Sequence, residues 1–378
     1  MDLIQASFVL FLSYYFTLKL TKYFKVDARI ITLVFIFKTI ISIAYLPVAK
    51  NLDNDAYGYF DTALVTYIAD IKYFTGSGLI FSITKFFRQY FHLNIFSMTF
   101  LFSFIGNIGT LALASNIKTF TRNIRGPIKF LSGLVIFFPT LNLWISAIGK
   151  DPITFACINL TIYSLIDLKS RLRILMISSF LFALVRPYIG IILFFSLTIS
   201  FISKAYLSNL KKIFLGIFSI ASLITFNLWN ADRFLGLNIF DLDFDAFSKG
   251  VEYFSNVMAD GNFAINLTQM PFPLKIFSFM FRPIFFDARG LDLYSLLMSF
   301  ENLILFIFFL YLVVKSFKNL KAKTFNLTPL SIFLPIYLTI SWIMYSLMVG
   351  NLGTANRYKL MLVPALVSLS LILKADSN

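Results

Sequence analysis

Charge is scarce in this chain. Of 378 residues, 13% are Asp, Glu, Lys or Arg, about half the share of an ordinary soluble domain. Histidine and cysteine occur once each. Cys157 stands in the apolar run Phe155-Ala156-Cys157-Ile158, so no intrachain disulfide and no cysteine-metal cluster can form. His92 excludes a histidine-rich metal centre. It ends an amphipathic segment, where it reads as an interfacial residue. Acid is the scarcer sign, with 18 Asp and Glu against 33 Lys and Arg, a net of +15. Fixed-period repeats, low-complexity tracts and Pro/Ser-rich linkers are missing too, so one membrane domain over 1–378 is expected. The first apolar run lacks a basic n-region and a small-residue cleavage site, and is read as a retained span.

What is abundant is hydrocarbon. Apolar residues make up 58% of the chain and Phe alone contributes 48; mean hydropathy is +0.81. No soluble core of this length hides that much apolar surface, so lipid has to be the solvent for part of it. The fold class expected is all-α, a polytopic integral membrane protein with about eleven transmembrane helices. Apolar runs place the spans at 3–18, 30–48, 94–116, 130–149, 152–166, 174–185, 188–203, 213–229, 293–314, 329–349 and 360–373. Two longer loops, about 49–93 and 230–292, separate them. The first holds a polar stretch and an amphipathic segment, 79–92; the second has an apolar patch near Phe277–Phe286.

The positive charge sorts by loop. Every second connection is dense in Lys and Arg, as cytoplasmic loops are. Placing these inside gives 19 basic against three acidic residues, and leaves 13 basic and 15 acidic residues outside, with Lys38 within a span. The expected orientation is N-terminus outside, C-terminus cytoplasmic, with both long loops outside. The basic excess is then topology and gives no reason to expect nucleic acid.

Four outer cations resist that explanation. Lys150, Arg186, Arg282 and Arg357 stand at span ends on the side that disfavours them. The segment 172–185 is about 21 Å long as a helix, short of a ~30 Å hydrocarbon core, which submerges Arg186. A charge there costs at least ~2.5–3.5 kcal/mol, so a cavity, a counter-ion or an anionic ligand is implied. Snorkelling toward water and pairing of Lys150 with Asp151 are the bland alternatives. Pro187 and Pro283 follow two of the arginines, which suits rigid breaks in helices. Guanidinium groups hold phosphate well because the planar fork is bidentate and stays charged.

Carboxylates supply the complementary chemistry. Asp53-Asn54-Asp55 follows span two. Such a pair can share a divalent cation, or one member can act as a general base toward a sugar hydroxyl, or the segment is a solvated turn. Asp241, Asp243 and Asp245 alternate with apolar residues and read as an amphipathic loop edge. Glu301 lies about 13 Å into span nine at ~1.5 Å per residue; an intramembrane carboxylate is a functional candidate by default. The Asn351-Leu352-Gly353-Thr354 loop leading to Arg357 offers backbone donors for a diphosphate.

Taken together, Phe138-Pro139-Thr140-Leu141-Asn142-Leu143-Trp144, Gly149-Lys150-Asp151, Val185-Arg186-Pro187-Tyr188, Phe281-Arg282-Pro283, Phe300-Glu301-Asn302 and Asn351-Leu352-Gly353-Thr354 with Arg357 resemble Wzy-type O-antigen or capsular polysaccharide polymerases and related bacterial membrane glycosyltransferases. The resemblance runs over about 50–365. It implies an inner-membrane enzyme that transfers undecaprenyl-diphosphate-linked glycan onto another lipid-linked repeat unit at the periplasmic face. Lys150, Arg186, Arg282 and Arg357 would bind the diphosphate. Asp53, Asp55 or Glu301 would position or deprotonate the acceptor. No cofactor is implied, beyond a divalent metal conceivable at Asp53 and Asp55. The implied partners are the lipid-linked oligosaccharide, the bilayer, and a chain-length regulator and flippase of the same pathway. The alternative is a GT-C-type helical bundle using a polyprenyl-phosphate sugar donor, and the third reading is a lipid-linked oligosaccharide flippase.

Overall fold

The computed structural model describes residues 2–51, 55–65, 74–202, 267, 270–285, 287, 293–322 and 328–375. Its regular elements are all helices. The chain divides into two compact units, Met1–Gly190 and Ile191–Asn378.

The first unit is built from α1 (Asp2–Phe24), α2 (Ala28–Asn51), α3 (Asp55–Val65), α4 (Ser77–Phe91), α5 (Ile95–Phe120), α6 (Pro127–Leu134), α7 (Pro139–Trp144), α8 (Lys150–Ile166) and α9 (Leu168–Val185). α10 (Pro187–Ile202) begins in it and continues into the second. α5 is the post of this unit, packed against α1, α2 and α8. Small residues set the spacing. A Cβ on Gly109 would stand 2.8 Å from the Ala156 Cα, so α5 and α8 touch nearly backbone to backbone. Buried polar groups then find partners across the contact: Asn116 Nδ2 donates to the Asn159 carbonyl at 3.1 Å.

The second unit holds α11 (Phe272–Phe281), α12 (Leu293–Ala322), α13 (Pro329–Met348), α14 (Leu352–Lys359) and α15 (Val363–Ala375). α15 is its post. Ala365, Leu366, Val367, Ser368, Ser370 and Leu371 have no exposed surface, α12 and α13 pack against it, and Ser370 Oγ donates to the Phe308 carbonyl at 3.2 Å. α11 docks through aromatic rings, Phe281 standing 5.5 Å from Trp342 and 5.2 Å from Phe306. Thr328 and Ser331 form a reciprocal capping box that starts α13.

Among the described residues, six helical segments are long and apolar enough to cross a membrane: α1, Ala28–Pro47 of α2, α5, Pro127–Trp144, Leu293–Lys318 of α12, and α13. Shorter apolar helices are Pro187–Ile202, Phe272–Phe281 and Val363–Ile372. Their outward faces are greasy. On α12, Leu293, Phe300, Leu303, Ile307, Leu310, Val314 and Phe317 are exposed, while Met298, Glu301, Asn302, Leu305 and Phe308 are buried. That three-and-four spacing is one helical stripe turned outward, and α2 repeats it with Ile30, Leu33, Ile36, Ile40 and Ile43. Water does not tolerate apolar stripes of this length. The chain is a multi-pass membrane protein.

Helices lie at ten of the eleven apolar runs, six of the helical segments being long and apolar enough to cross a membrane, and 213–229 lies outside the described residues. Two details differ from expectation. The run 130–149 is interrupted: α6 tightens into a 3-10 turn at Val135–Phe137, α7 restarts at Pro139, and 145–149 is not helical. Pro139 has no N–H to continue a helix and suits the first turn of a new one. The polar stretch 49–78 holds a full helix, α3, whose Ala56, Tyr59 and Ala63 are buried at three-to-four spacing. The break expected at Arg186-Pro187 is present, and a Cβ on Gly190 would stand 2.7 Å from the Ala183 Cα.

Candidate functional site

In the first unit, polar chemistry gathers where α8 begins. Gly149, at φ 159, opens the turn that starts α8, which puts Lys150 and Asp151 in the first helical turn, where an acid is favoured by the helix dipole. Asp151 and Arg186 form a sealed ion pair: Nη2 to Oδ1 is 2.6 Å and both side chains are 3% exposed. A second edge of the guanidinium reaches the Tyr188 hydroxyl at 3.4 Å. Arg186 is held by its own helix end, its N–H donating to the Phe182 carbonyl at 2.8 Å.

Lys150 is half-buried and its ammonium approaches the turn at Gly76, 4.0 Å from where a Cβ would stand. Gly76 has φ +60, in the left-handed region open to glycine, and its N–H donates to the Leu184 carbonyl at 2.8 Å. The turn before α4 is thereby pinned beside the Arg186 break. At the other end of α4, Arg88 lies over the Phe60 ring at 3.7 Å and donates to the Phe60 carbonyl. Burial pulls its pKa down while the Asp61 charge pushes it up.

Lys38 is the deepest charge in this unit. Its side chain has no exposed surface, and Nζ donates to the Ser103 carbonyl at a long 3.3 Å. Gly106 makes the room: a Cβ there would stand 3.0 Å from Lys38 Nζ and 2.1 Å from the Ile145 carbonyl oxygen.

In the second unit, three elements meet at the end of α11. Arg282 ends that helix, its N–H donating to Ser278 at 3.1 Å, and the Arg282–Pro283 peptide bond is cis. Lys359, the last residue of α14, is buried beneath this turn. Its Nζ donates to the Arg282 carbonyl at 2.9 Å and to Asn302 Oδ1 at 2.8 Å. Asn302 Nδ2 in turn donates to the Pro283 carbonyl at 2.9 Å. The backbone at Arg282-Pro283 is thus clamped from below by α12 and α14. Burial pushes the Lys359 ammonium down to about 7, against the pull of the Glu301 carboxylate. A neutral amine has two N–H donors, the number the two acceptors require.

The Arg282 side chain meets Asp287 side-on. Nε to Oδ2 is 2.7 Å and Nη2 to Oδ1 is 2.5 Å. Asp287 Oδ2 also accepts the Ile284 N–H at 3.0 Å. The Asp287 hydrogen bond raises the Arg282 pKa above its usual value despite burial. For Asp287, burial works to raise the carboxyl, but the Arg282 and Ile284 bonds outweigh it and hold it below the usual range.

The cations singled out by sequence therefore divide two and two between the units: Lys150 and Arg186 in the first, Arg282 and Arg357 in the second. Arg357 is half-buried in the last turn of α14, a helix capped by the Asn351 side chain on the Thr354 N–H at 2.8 Å. Glu301 is buried on the inward face of α12, close enough for its charge to act on Lys359. Asp55 is exposed in the first turn of α3. Asp53, Asp241, Asp243 and Asp245 lie outside the described residues. Among the described residues, no group of three or more His, Cys, Asp or Glu is placed to hold a metal ion.

Sequence reasoning missed Asp287 and the Asn302–Lys359 clamp. The available signal was the adjacency of Asn302 to Glu301 and of Lys359 to Arg357, each one or two residues from a position already marked. Comparison of the chain with family models, curated proteins and solved structures found no match.

Proposed function

We propose that this protein is a bacterial inner-membrane glycosyltransferase of the O-antigen or capsule polymerase kind. It takes glycan from an undecaprenyl diphosphate carrier and joins it to a second lipid-linked repeat unit at the periplasmic face, with the N-terminus outside and the C-terminus cytoplasmic. The observation that carries this reading is the end of α11: a part-exposed guanidinium set on a clamped turn of an apolar helix, with the Glu301 carboxylate in the same unit. A diphosphate at the head of a lipid needs a cation at such a helix end.

In the reaction, an acceptor hydroxyl oxygen attacks the anomeric carbon of the donor sugar. The bond from that carbon to the diphosphate oxygen breaks, and its electron pair leaves with the undecaprenyl diphosphate. Arg282 and Arg357 take up the charge that develops there. Glu301, in the same unit as these arginines, receives the hydroxyl proton. Arg186 is left out of the binding set, because Asp151 already neutralises it in a sealed contact.

The deciding experiment is incubation of purified protein in nanodiscs with a defined undecaprenyl-diphosphate repeat unit. A ladder of products is expected. Addition of a single sugar would replace the polymerase by a transferase of the polyprenyl-phosphate type. Translocation without product would replace the enzyme by a flippase.

A further inference from the structure

Two arginine–carboxylate pairs among the described residues differ in access. Arg186 and Asp151 are each 3% exposed, whereas Arg282 is 21% and Asp287 13% exposed. The first pair is out of reach of any ligand. The second stands at the surface of its unit, and its carboxylate belongs to the same short turn, five residues on.

The geometry of the second pair suits exchange. Asp287 takes Nε and Nη2 of the guanidinium, and no hydrogen bond to Nη1 is made among the described residues. A phosphate oxygen can approach Nη1 while Asp287 is still in place. A phosphate group presents the same pair of oxygens as a carboxylate to the guanidinium fork, with more charge. Asp287 does not lose every partner by yielding: the Ile284 N–H still satisfies one of its oxygens, and its side chain is 13% exposed. The backbone beneath does not need to move, because Lys359 and Asn302 hold the Arg282 and Pro283 carbonyls. Only the side chain has to turn.

We propose that Asp287 is a resident counter-ion for Arg282, occupying the guanidinium until a ligand diphosphate displaces it. The carboxylate keeps a bare charge out of the apolar surround when no substrate is bound. It also sets a threshold, since a singly charged anion competes poorly with a carboxylate already in position while a diphosphate competes well. This rests on reading Arg282 as the diphosphate ligand.

The test is binding by the purified full-length protein, with inorganic pyrophosphate and farnesyl diphosphate as probes and titration calorimetry as readout. Asp287→Asn is expected to bind pyrophosphate about tenfold more tightly than the natural protein, and Asp287→Glu to return close to it. Arg282→Gln should abolish binding in both backgrounds. Should Asp287→Asn not fold, Asp287→Ser removes the charge and keeps an acceptor for the Ile284 N–H. Unchanged or weaker binding in the neutral variants, or no binding in any variant, overturns the proposal. Tighter binding of farnesyl diphosphate than of pyrophosphate assigns the displacing group to a lipid headgroup; equal binding of both assigns it to a free diphosphate, and either keeps Asp287 as the counter-ion. Tightened binding in a protein that makes no product ladder would refute the polymerase reading while leaving this one standing.

Discussion

Removing the charge of Asp151 strands the Arg186 guanidinium in a place that water does not reach. The two groups are 2.6 Å apart and 3% exposed, so neither can be re-solvated without opening the contact between the start of α8 and the end of α9. Breaking a buried pair from one side costs about 3–5 kcal/mol, whereas removing both charges together is often nearly neutral. Asp151→Asn and Arg186→Gln are each expected to lose about 3 kcal/mol or more, and the double variant much less than their sum. The resulting coupling is about 2–4 kcal/mol, against about 0.2–1 kcal/mol for an exposed pair. Reversible unfolding in mixed detergent micelles, followed by far-ultraviolet circular dichroism, measures all four corners of the cycle. A coupling below about 1 kcal/mol would refute a sealed pair. The activity corner is as sharp. The double variant should still give a product ladder, because Arg186 is assigned no contact with substrate. Loss of product in a double variant of normal stability would return Arg186 to the binding set.

Three further outcomes follow from the geometry. Gly106→Ala should destabilise by about 1–3 kcal/mol or more, since its Cβ meets a backbone carbonyl at 2.1 Å; Gly133→Ala, with open space around it, should be neutral or stabilising by up to about 1 kcal/mol, and equal melting temperatures for the two would contradict the close approach of α5 to Ile145. Lys38→Met should melt no lower than the natural protein, because it exchanges a buried amine with one long hydrogen bond for an apolar chain of similar length; a clear loss of melting temperature would show that the amine holds the Ser103 carbonyl usefully. Lys359 is protonated less readily in the folded state, at about 7, than its ordinary 10.5. Between those values the unfolded chain binds more protons, so stability should rise with pH by at most about 1.4 kcal/mol per unit. Below about pH 7 the penalty is fully present, and Lys359→Met should flatten the profile; an identical slope in that variant would refute the assignment.

Much of the helical plan was legible in the sequence because lipid imposes long apolar runs, and because Pro187 marks the α9–α10 break without any tertiary help. The breaks inside the run 130–149 were not legible, since its mean hydropathy hides Pro139 and the turn at Gly149. Helix α3 was missed because its buried face is only Ala56, Tyr59 and Ala63, too small a stripe to stand out in a polar stretch. At the candidate site, individual residues were legible and their partners were not. Arg282 could be singled out from Arg-Pro in the apolar patch ahead of span nine, but its neutralisation by Asp287 depends on the shape of one short turn. Lys359 meets Asn302 only once the end of α14 is brought to α12, a fact of packing 57 residues apart in sequence. Charge position was readable; charge compensation was not.

The burial of α15 has a consequence for how the protein is made. Synthesis delivers α12 and α13 into the membrane before the helix that both pack against. Until Val363–Ala375 emerges, α12 lacks that neighbour, and the Phe308 carbonyl lacks the Ser370 hydroxyl that later bonds it. The second unit therefore closes late and around its last helix, so a ribosome stalled ahead of residue 363 would leave a membrane-inserted half-bundle for quality-control proteases to find.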